Sequence, residues 1–260
     1  MTRRTSTRRI VTRLGTVALA LLLWQLLTTG GVRLWLSFDK LPPPTAVLTA
    51  LQTQLGSGVL HQDVLASLGR IGAGFALAGV LGTIVGIALA RSRLAEDSIG
   101  TLVAIVRPIP AIALVPIAIL LFPTSEQGIV AITAAAAFFP VAVSTRHAVR
   151  ALPPSWEDAV RTMGGSRPQV LARVVLPGAL PGIVAGLSVG IGVSWVCVIS
   201  AEMISGRLGI GYRTWQSSTV VDYPAVVAGM AVIGLLGWLT SAAVERLGRR
   251  ATAWLPGDGA

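Results

Sequence analysis

Residues 157–178 read EDAVRTMGGSRPQVLARVVLPG, and this polar stretch lies between two long apolar segments. Acids, arginines, a Gly-Gly pair and a proline interrupt a chain that is otherwise rich in aliphatic residues. An insert of this kind raises two questions: on which side of a membrane it lies, and what contacts it. The composition of the chain decides whether a membrane is involved.

Of the 260 residues, 53% are hydrophobic and 12% are charged, and the mean hydropathy is +0.74. Soluble domains carry about 25% charged residues. A deficit of this size, with several apolar runs near the length of a bilayer crossing, indicates a polytopic membrane protein. The runs are continuous and do not alternate in polarity, which predicts an all-α integral membrane protein and not a β-barrel.

Six apolar runs predict six transmembrane helices in a single domain that covers residues 1–260. No repeat and no soluble appendage interrupts them. The predicted spans are 14–36, 71–90, 99–121, 128–149, 178–204 and 225–244.

The net charge of +10 comes from arginines that cluster at the ends of apolar runs, which is typical of topology control and not of nucleic-acid binding. With six spans, 15 of the 21 basic residues fall on one side. The positive-inside rule then places both termini and the segment 153–177 in the cytoplasm. A cleaved signal peptide is the alternative for the first span, but no A-x-A site follows it, which favours a retained helix.

The chain offers no residues for catalysis or metal binding. Cys197 is the single cysteine, and His61 and His147 lie far apart without a second ligand at metal spacing. The single lysine, Lys40, follows Asp39, so the chain cannot form the Gly-Lys step of a P-loop. We therefore expect no cofactor on this chain, and any ATP hydrolysis must occur on a partner.

Small residues recur every four positions in two spans, where they would let helix backbones approach closely. We expect them to pack helices within one chain, with a dimer or pore interface as the alternative. The third span carries Pro108, Pro110 and Pro116, which predict a kink and a helix that lines the pathway. The two ridges are Gly74, Ala78, Gly82, Gly86 and Ala90, and Gly178, Gly182, Gly186, Gly190 and Ser194.

The polar insert predicts two short amphipathic helices. Ser155 offers an N-cap for the first helix, whose apolar stripe contains Trp156, Val160 and Met163. Gly164 ends that helix, and an αL cap there requires a positive φ. A second helix, capped by Ser166 with Gln169 three residues on, extends to Pro177. A docking surface for a cytoplasmic protein explains the acids and the glycine turn, whereas helices resting on lipid headgroups are the alternative.

The segment resembles the EAA loop of ABC importer permeases. Asp158, Ala159 and Val160 take the E-A-A places, Gly164 takes the glycine, and VVLP at 174–177 is similar to the ending. Asp for Glu and Val for the second Ala are departures from that pattern. Further similar stretches, RPIPAIALVPIAILLF at 107–122, FFP at 138–140, LPGALPGI at 176–183 and AEMISGRLGIGY at 201–212, match the subgroup that imports aliphatic sulfonates, taurine, nitrate and bicarbonate.

The resemblance implies the ABC importer permease fold and a homodimer in the inner membrane of a bacterial cell. It implies a cytoplasmic ABC ATPase dimer that carries ATP and Mg²⁺, and an extracytoplasmic substrate-binding protein that delivers a small organic or inorganic anion. An importer for another solute, such as an aromatic acid or vitamin precursor, is the alternative within the family. The expected ATPase-coupling residues are Glu157, Asp158, Ala159, Arg161, Met163, Gly164 and Ser166.

The expected pathway residues are Arg70, Arg107, Pro110, Trp195 and Glu202. Arg70 and Glu202 each also fit a structural partner or a snorkelling side chain, and Trp195 fits a packing role. An ion-coupled secondary transporter is a rival function, and it needs an intramembrane acid, for which Glu202 is the candidate. A membrane-embedded enzyme is a weaker rival, since the sequence has neither H-E-x-x-H nor G-x-S-x-G.

Overall fold

The computed structural model describes residues 2–30 and 41–254. Within those ranges the chain forms helices joined by short turns, and no strand is present. The helices are α1 (Thr2–Thr29), α2 (Pro44–Gly56), α3 (Val59–Arg91), α4 (Arg93–Val106), α5 (Ala111–Leu121), α6 (Ser125–Arg150), α7 (Pro154–Thr162), α8 (Arg167–Ser205), α9 (Ile210–Thr219) and α10 (Tyr223–Ala251).

Four helices are long and apolar enough to cross a membrane: α3, α6, α8 and α10. The bent pair α4 and α5 makes a fifth span if it is counted as one. The first predicted span, 14–36, is a shorter apolar helix over Gly15–Thr29, and its residues 31–36 lie outside the described residues. The described residues thus account for four of the six predicted spans, or for five if the bent pair is one span.

The chain divides into two compact units, Met1–Gln62 with Arg213–Val232, and Asp63–Tyr212 with Ile233–Ala260. In the first unit, α2 begins at Pro44 with Pro43 as its N-cap, because a proline is favoured in the first turn of a helix. The backbone N–H of Thr45 donates to Oε1 of Gln25, 3.4 Å away.

The core of the second unit forms where α6 packs against α3 and α8. An added Cβ at Gly86 would lie 2.6 Å from the carbonyl oxygen of Ala142, and one at Gly186 would lie 2.9 Å from the Cβ of Ser144. Only glycine permits these approaches, so the prediction of packing within one chain is confirmed and the interface alternative is wrong for these positions. Other ridge glycines that contact α6 are Gly74, Gly82 and Gly182.

The third predicted span is broken and not merely kinked, since α4 and α5 meet at 88°. Pro108 and Pro110 lack the N–H that would continue a helix, and a proline also disfavours helical geometry at the residue before it. Pro110 itself is extended, with ψ 121°. Pro116 causes no second break, because it lies in the first turn of the segment Val115–Leu121.

The second helix of the polar insert does not end at Pro177, as the sequence predicted. It continues into the fifth span as one helix of 39 residues, α8. A π-helical turn at Leu171–Val175 precedes the proline, and the N–H of Leu176 donates to the oxygen of Leu171. This wider turn shifts the carbonyl that the Pro177 ring would otherwise strike, so the helix accommodates the proline.

Candidate functional site

The polar insert forms α7, a glycine turn and the first turns of α8. Helix α7 begins at Pro154 with Pro153 as the N-cap and without a side-chain cap. The predicted cap at Ser155 is therefore wrong, because Pro154 already has the φ that the first helical position needs.

The apolar stripe of α7 is only partly covered. Val160 packs against a buried cluster that includes Val149, Val170 and Ala179. Trp156 is 48% exposed and Met163 is 79% exposed, so one end of the predicted stripe is half open and the other is largely open. Two expected coupling residues beside them, Asp158 and Ala159, are also exposed.

The turn after α7 has the geometry that the sequence predicted. Gly164 has φ +82°, and the N–H of Gly165 donates to the oxygen of Val160 at 2.9 Å. A Cβ at Gly164 would meet no atom within 4 Å, so a side chain there would cost backbone strain and not a clash. The N–H of Ser166 donates to Oε1 of Gln169 at 2.7 Å, which confirms the predicted start of the next helix.

An ion pair connects α7 to the end of α3. Both terminal nitrogens of Arg91 donate to the carboxylate of Glu157, Nη1 to Oε1 and Nη2 to Oε2, the second at 3.0 Å. Arg161 Nη2 lies 3.3 Å from the same Oε2. The hydrogen bond from Arg91 lowers the pKa of Glu157 below its ordinary value, against the opposing effect of partial burial. Sequence reasoning missed Arg91 because 66 residues separate it from Glu157.

A cavity of about 420 Å³ lies at the break between α4 and α5. Two of the expected pathway residues, Arg107 and Pro110, line it, whereas the opposite walls come from α6 and α8. The walls are largely apolar, and Arg107 supplies a guanidinium. A small solute with one anionic group fits this combination of apolar walls and a single positive charge. The wall residues of α6 and α8 are Ala136, Phe139, Pro140, Val143, Ser144, Val189 and Val193.

Arg70 and Glu202 lie elsewhere, in a buried ionic cluster that does not line this cavity. Arg70 is 3% exposed and Glu202 is fully buried. Arg70 Nη1 donates to Glu202 Oε1 at 2.7 Å and to the carbonyl oxygen of Leu208 at 2.6 Å, and Arg70 Nε donates to Glu126 Oε2 at 2.7 Å. These partners engage the polar atoms of both residues, which favours a structural role, and a place in the pathway stays a prediction for both.

The same cluster holds the turn after α8. Glu202 accepts from the hydroxyl of Ser67 at 2.7 Å and from the N–H of Gly211 at 2.9 Å, and Asp63 accepts from the N–H of Gly209 at 3.0 Å. Gly209 has φ +139°, and a Cβ there would overlap the Glu202 carboxylate. An acid engaged in this way does not suit proton or ion coupling, which disfavours the secondary transporter.

Trp195 is packed in the core, which favours the packing role, and its place in the pathway stays a prediction. It is 5% exposed and belongs to a buried cluster with Ile71 and Ile191. Its indole Nε1 donates to Oγ1 of Thr240 at 2.9 Å, which satisfies the polar atom of a buried indole.

The chain is similar to known transport proteins in both sequence and fold. A family model for binding-protein-dependent transport system inner membrane components matches residues 78–253. The taurine transport system permease protein TauC of Escherichia coli (strain K12) is 33% identical over 252 residues, which cover 95% of this chain and 90% of that protein. The putative aliphatic sulfonates transport permease protein SsuC of the same organism is 34% identical over 233 residues, covering 90% of this chain and 88% of that one.

Among solved structures, an inward-facing form of the MetNI methionine ABC transporter is similar, with a TM-score of 0.65 and 21% sequence identity. The match covers 76% of this chain and 99% of that one. At this identity the likeness shows the fold alone, and it agrees with the arrangement of helices described above.

Proposed function

The chain belongs to the family of binding-protein-dependent transport system inner membrane components, the permeases of ABC importers, and on that premise we propose that it imports a small anion when segment 153–177 docks on a partner ATPase. The observation that carries the docking is the uncovered face of α7. Trp156 and Met163 are exposed large apolar side chains at the ends of a short helix that one ion pair and Val160 hold in place. An exposed apolar face of this kind is typical of a surface that a partner protein covers.

The assembly in this proposal contains two copies of the permease and two ATPase subunits that bind ATP and Mg²⁺. A substrate-binding protein delivers the solute from the side opposite the ATPase. The support is the family description, which names a binding protein and an inner membrane. The distribution of arginines supports a cytoplasmic location for both termini and for segment 153–177.

Docking is tested by copurification of the permease with its ATPase. Asp158→Lys reverses an exposed charge of α7 and is expected to reduce ATPase association and substrate-stimulated hydrolysis at least tenfold. Asp97→Lys, which reverses an exposed acid in α4, serves as the matched control and should retain both. Full association of the Asp158 variant would show that the ATPase binds elsewhere.

Orientation is tested with single cysteines that a membrane-impermeant maleimide can label. A cysteine at Ser57 is expected to react from outside the cell, and one at Ser166 only after permeabilisation. Cys197 is buried and should contribute no background. Labelling of both sites from outside would show that the number of spans is wrong.

For the substrate we propose a sulfonate or a taurine-like zwitterion. The support is the substrates in the names of TauC and SsuC, together with Arg107 on the cavity at the bent span. Since a sulfonate stays anionic at all physiological pH values, a guanidinium can bind it in every state of the transport cycle.

Uptake of labelled taurine into proteoliposomes with the complete transporter tests the substrate class. Arg107→Gln is expected to lower uptake about tenfold, as the loss of one charge-assisted contact predicts. The exposed Arg246→Gln serves as the control. Uptake of a neutral sugar instead of taurine, with Arg107→Gln without effect, would overturn the assignment.

A further inference from the structure

A groove of about 650 Å³ lies where α3 ends beside α7 and the start of α8. Three arginines line it, Arg91, Arg161 and Arg167. One carboxylate, that of Glu157, pairs with the first two, so the group retains a net charge of about +2. We call this cavity the arginine groove; its other lining residues are Ile87, Ala88, Ser92, Pro168 and Leu171.

Arg167 is the part of the groove that is free to bind an anion. It is exposed, and within the described residues it makes no ion pair with a carboxylate. It is the first residue of α8, a helix of 39 residues, whose N-terminal end carries partial positive charge. A negatively charged group in the groove would therefore meet the Arg167 guanidinium and the positive end of a long helix together.

An apolar stripe on α3 leads directly into the groove. Leu77, Val80, Leu81 and Ile84 are each at least 45% exposed. They recur at the helical spacing that continues through Ile87 and Ala88 to Arg91, so all lie on one face of the helix. The opposite face carries the buried Ala78 and Leu89. The groove is thus positively charged where α3 ends, and an apolar stripe runs along α3 away from it.

We propose that the arginine groove binds the phosphate headgroup of an anionic phospholipid, whose acyl chain lies along the stripe of α3. Basic pockets between helices at a membrane surface suit anionic headgroups. An acidic surface of the ATPase would match the arginines but would leave the stripe at membrane depth unexplained. The continuity of charge and apolar surface therefore favours a lipid as the occupant. The site requires no ATPase and does not rest on the proposed docking.

Native mass spectrometry of the purified permease tests this site, with dioleoyl phosphatidylglycerol titrated against dioleoyl phosphatidylcholine in a neutral detergent. The wild type is expected to bind phosphatidylglycerol preferentially. Arg167→Gln should weaken that binding about fivefold, which is the effect of one basic residue near a headgroup. Arg173→Gln is the matched control, because Arg173 lines a separate cavity with Trp156 and Trp254.

Two further measurements distinguish the lipid from other occupants. Millimolar inorganic phosphate should not displace phosphatidylglycerol; displacement would mean that the groove is a site for free anions and would overturn the proposal. In lipid-free detergent, ATPase association of Arg167→Gln is measured separately from lipid binding, because Arg167 lies in segment 153–177. Loss of the ATPase together with unchanged lipid binding would assign the groove to the protein interface and would also overturn it. Equal binding of phosphatidylglycerol and phosphatidylcholine by the wild type would also overturn the proposal.

Discussion

Helix α3 carries two arginines that form ion pairs with carboxylates from distant parts of the chain, and the two arginines differ in burial. Arg70 is 3% exposed and binds Glu126 and Glu202, whereas Arg91 is 31% exposed and binds Glu157. Their separation of 21 residues corresponds to about 32 Å along a helix, close to the roughly 30 Å thickness of a bilayer's hydrocarbon core. The two anchors therefore stand near opposite edges of the span.

The buried arginine attaches its partners firmly, whereas the more exposed arginine attaches α7 in a way that can change. The Arg70 cluster secures the turn around Gly209 through side-chain and backbone hydrogen bonds that are buried or partly buried. The Arg91 pair attaches α7 while leaving Trp156 and Met163 exposed. Breaking a buried pair leaves an uncompensated charge, but an exposed pair contributes about 0–1 kcal/mol. The second anchor can hold α7 in position and still allow it to move when a partner binds.

The largest expected effect comes from Arg70→Met. It leaves the buried carboxylate of Glu202 without its cation, which should reduce the free energy of unfolding by about 3–5 kcal/mol. Thermal unfolding in detergent measures this change.

Arg91→Met, the equivalent change at the exposed anchor, should cost no more than about 1 kcal/mol. If Arg70→Met unfolded at the wild-type temperature and altered only the KM for the transported solute, Arg70 would be a pathway residue after all.

Gly164→Val tests the turn after α7, and its expected effect lies between those of Arg70→Met and Glu157→Gln. Because Gly164 has φ +82°, a β-branched residue costs about 1–3 kcal/mol of backbone strain, while the open space around it removes any clash. ATPase affinity should fall about tenfold, with the permease still folded and inserted.

Gly164→Asn is the matched control for this change, since Asn tolerates the αL conformation. It should restore most of the affinity. Equal losses for Val and Asn would show that bulk, and not backbone conformation, determines docking.

The sequence predicted the parts of this structure that local patterns encode. The apolar runs located α3, α6, α8 and α10, and Gly164 and Ser166 marked a turn and a helix start that the structure confirms. Small residues at four-residue spacing predicted the close packing against α6.

What the sequence did not predict depends on contacts between distant residues or on accommodation of proline. The pairs of Arg70 with Glu202 and Arg91 with Glu157 join positions 132 and 66 residues apart, and nothing local marks them as partners. The π turn that carries α8 past Pro177 has Val174 and Val175 buried in the core, and no local pattern in the sequence marks such a turn. Helix α9 was missed because it is short and polar.

The smallest expected effect comes from Glu157→Gln, which tests the pair directly. Because Arg91 lowers the pKa of Glu157 in the folded protein, the pair stabilises the attachment of α7 above the ordinary carboxyl pKa of about 4.3. That contribution is lost as the pH falls through the lower folded pKa. Hydrogen exchange of the α7 amides in the purified permease measures the attachment.

At neutral pH, Glu157→Gln should speed exchange by no more than about fivefold, as an exposed pair of about 1 kcal/mol predicts. The wild type should show the same protection from pH 7 to about pH 5 and should approach the variant only below about pH 4.3. Arg91→Gln should match Glu157→Gln, and the double variant should add little, because either change removes the same contact. Additive effects of the two changes would show that Arg91 and Glu157 stabilise α7 independently, and the exposed anchor of α3 would then be absent.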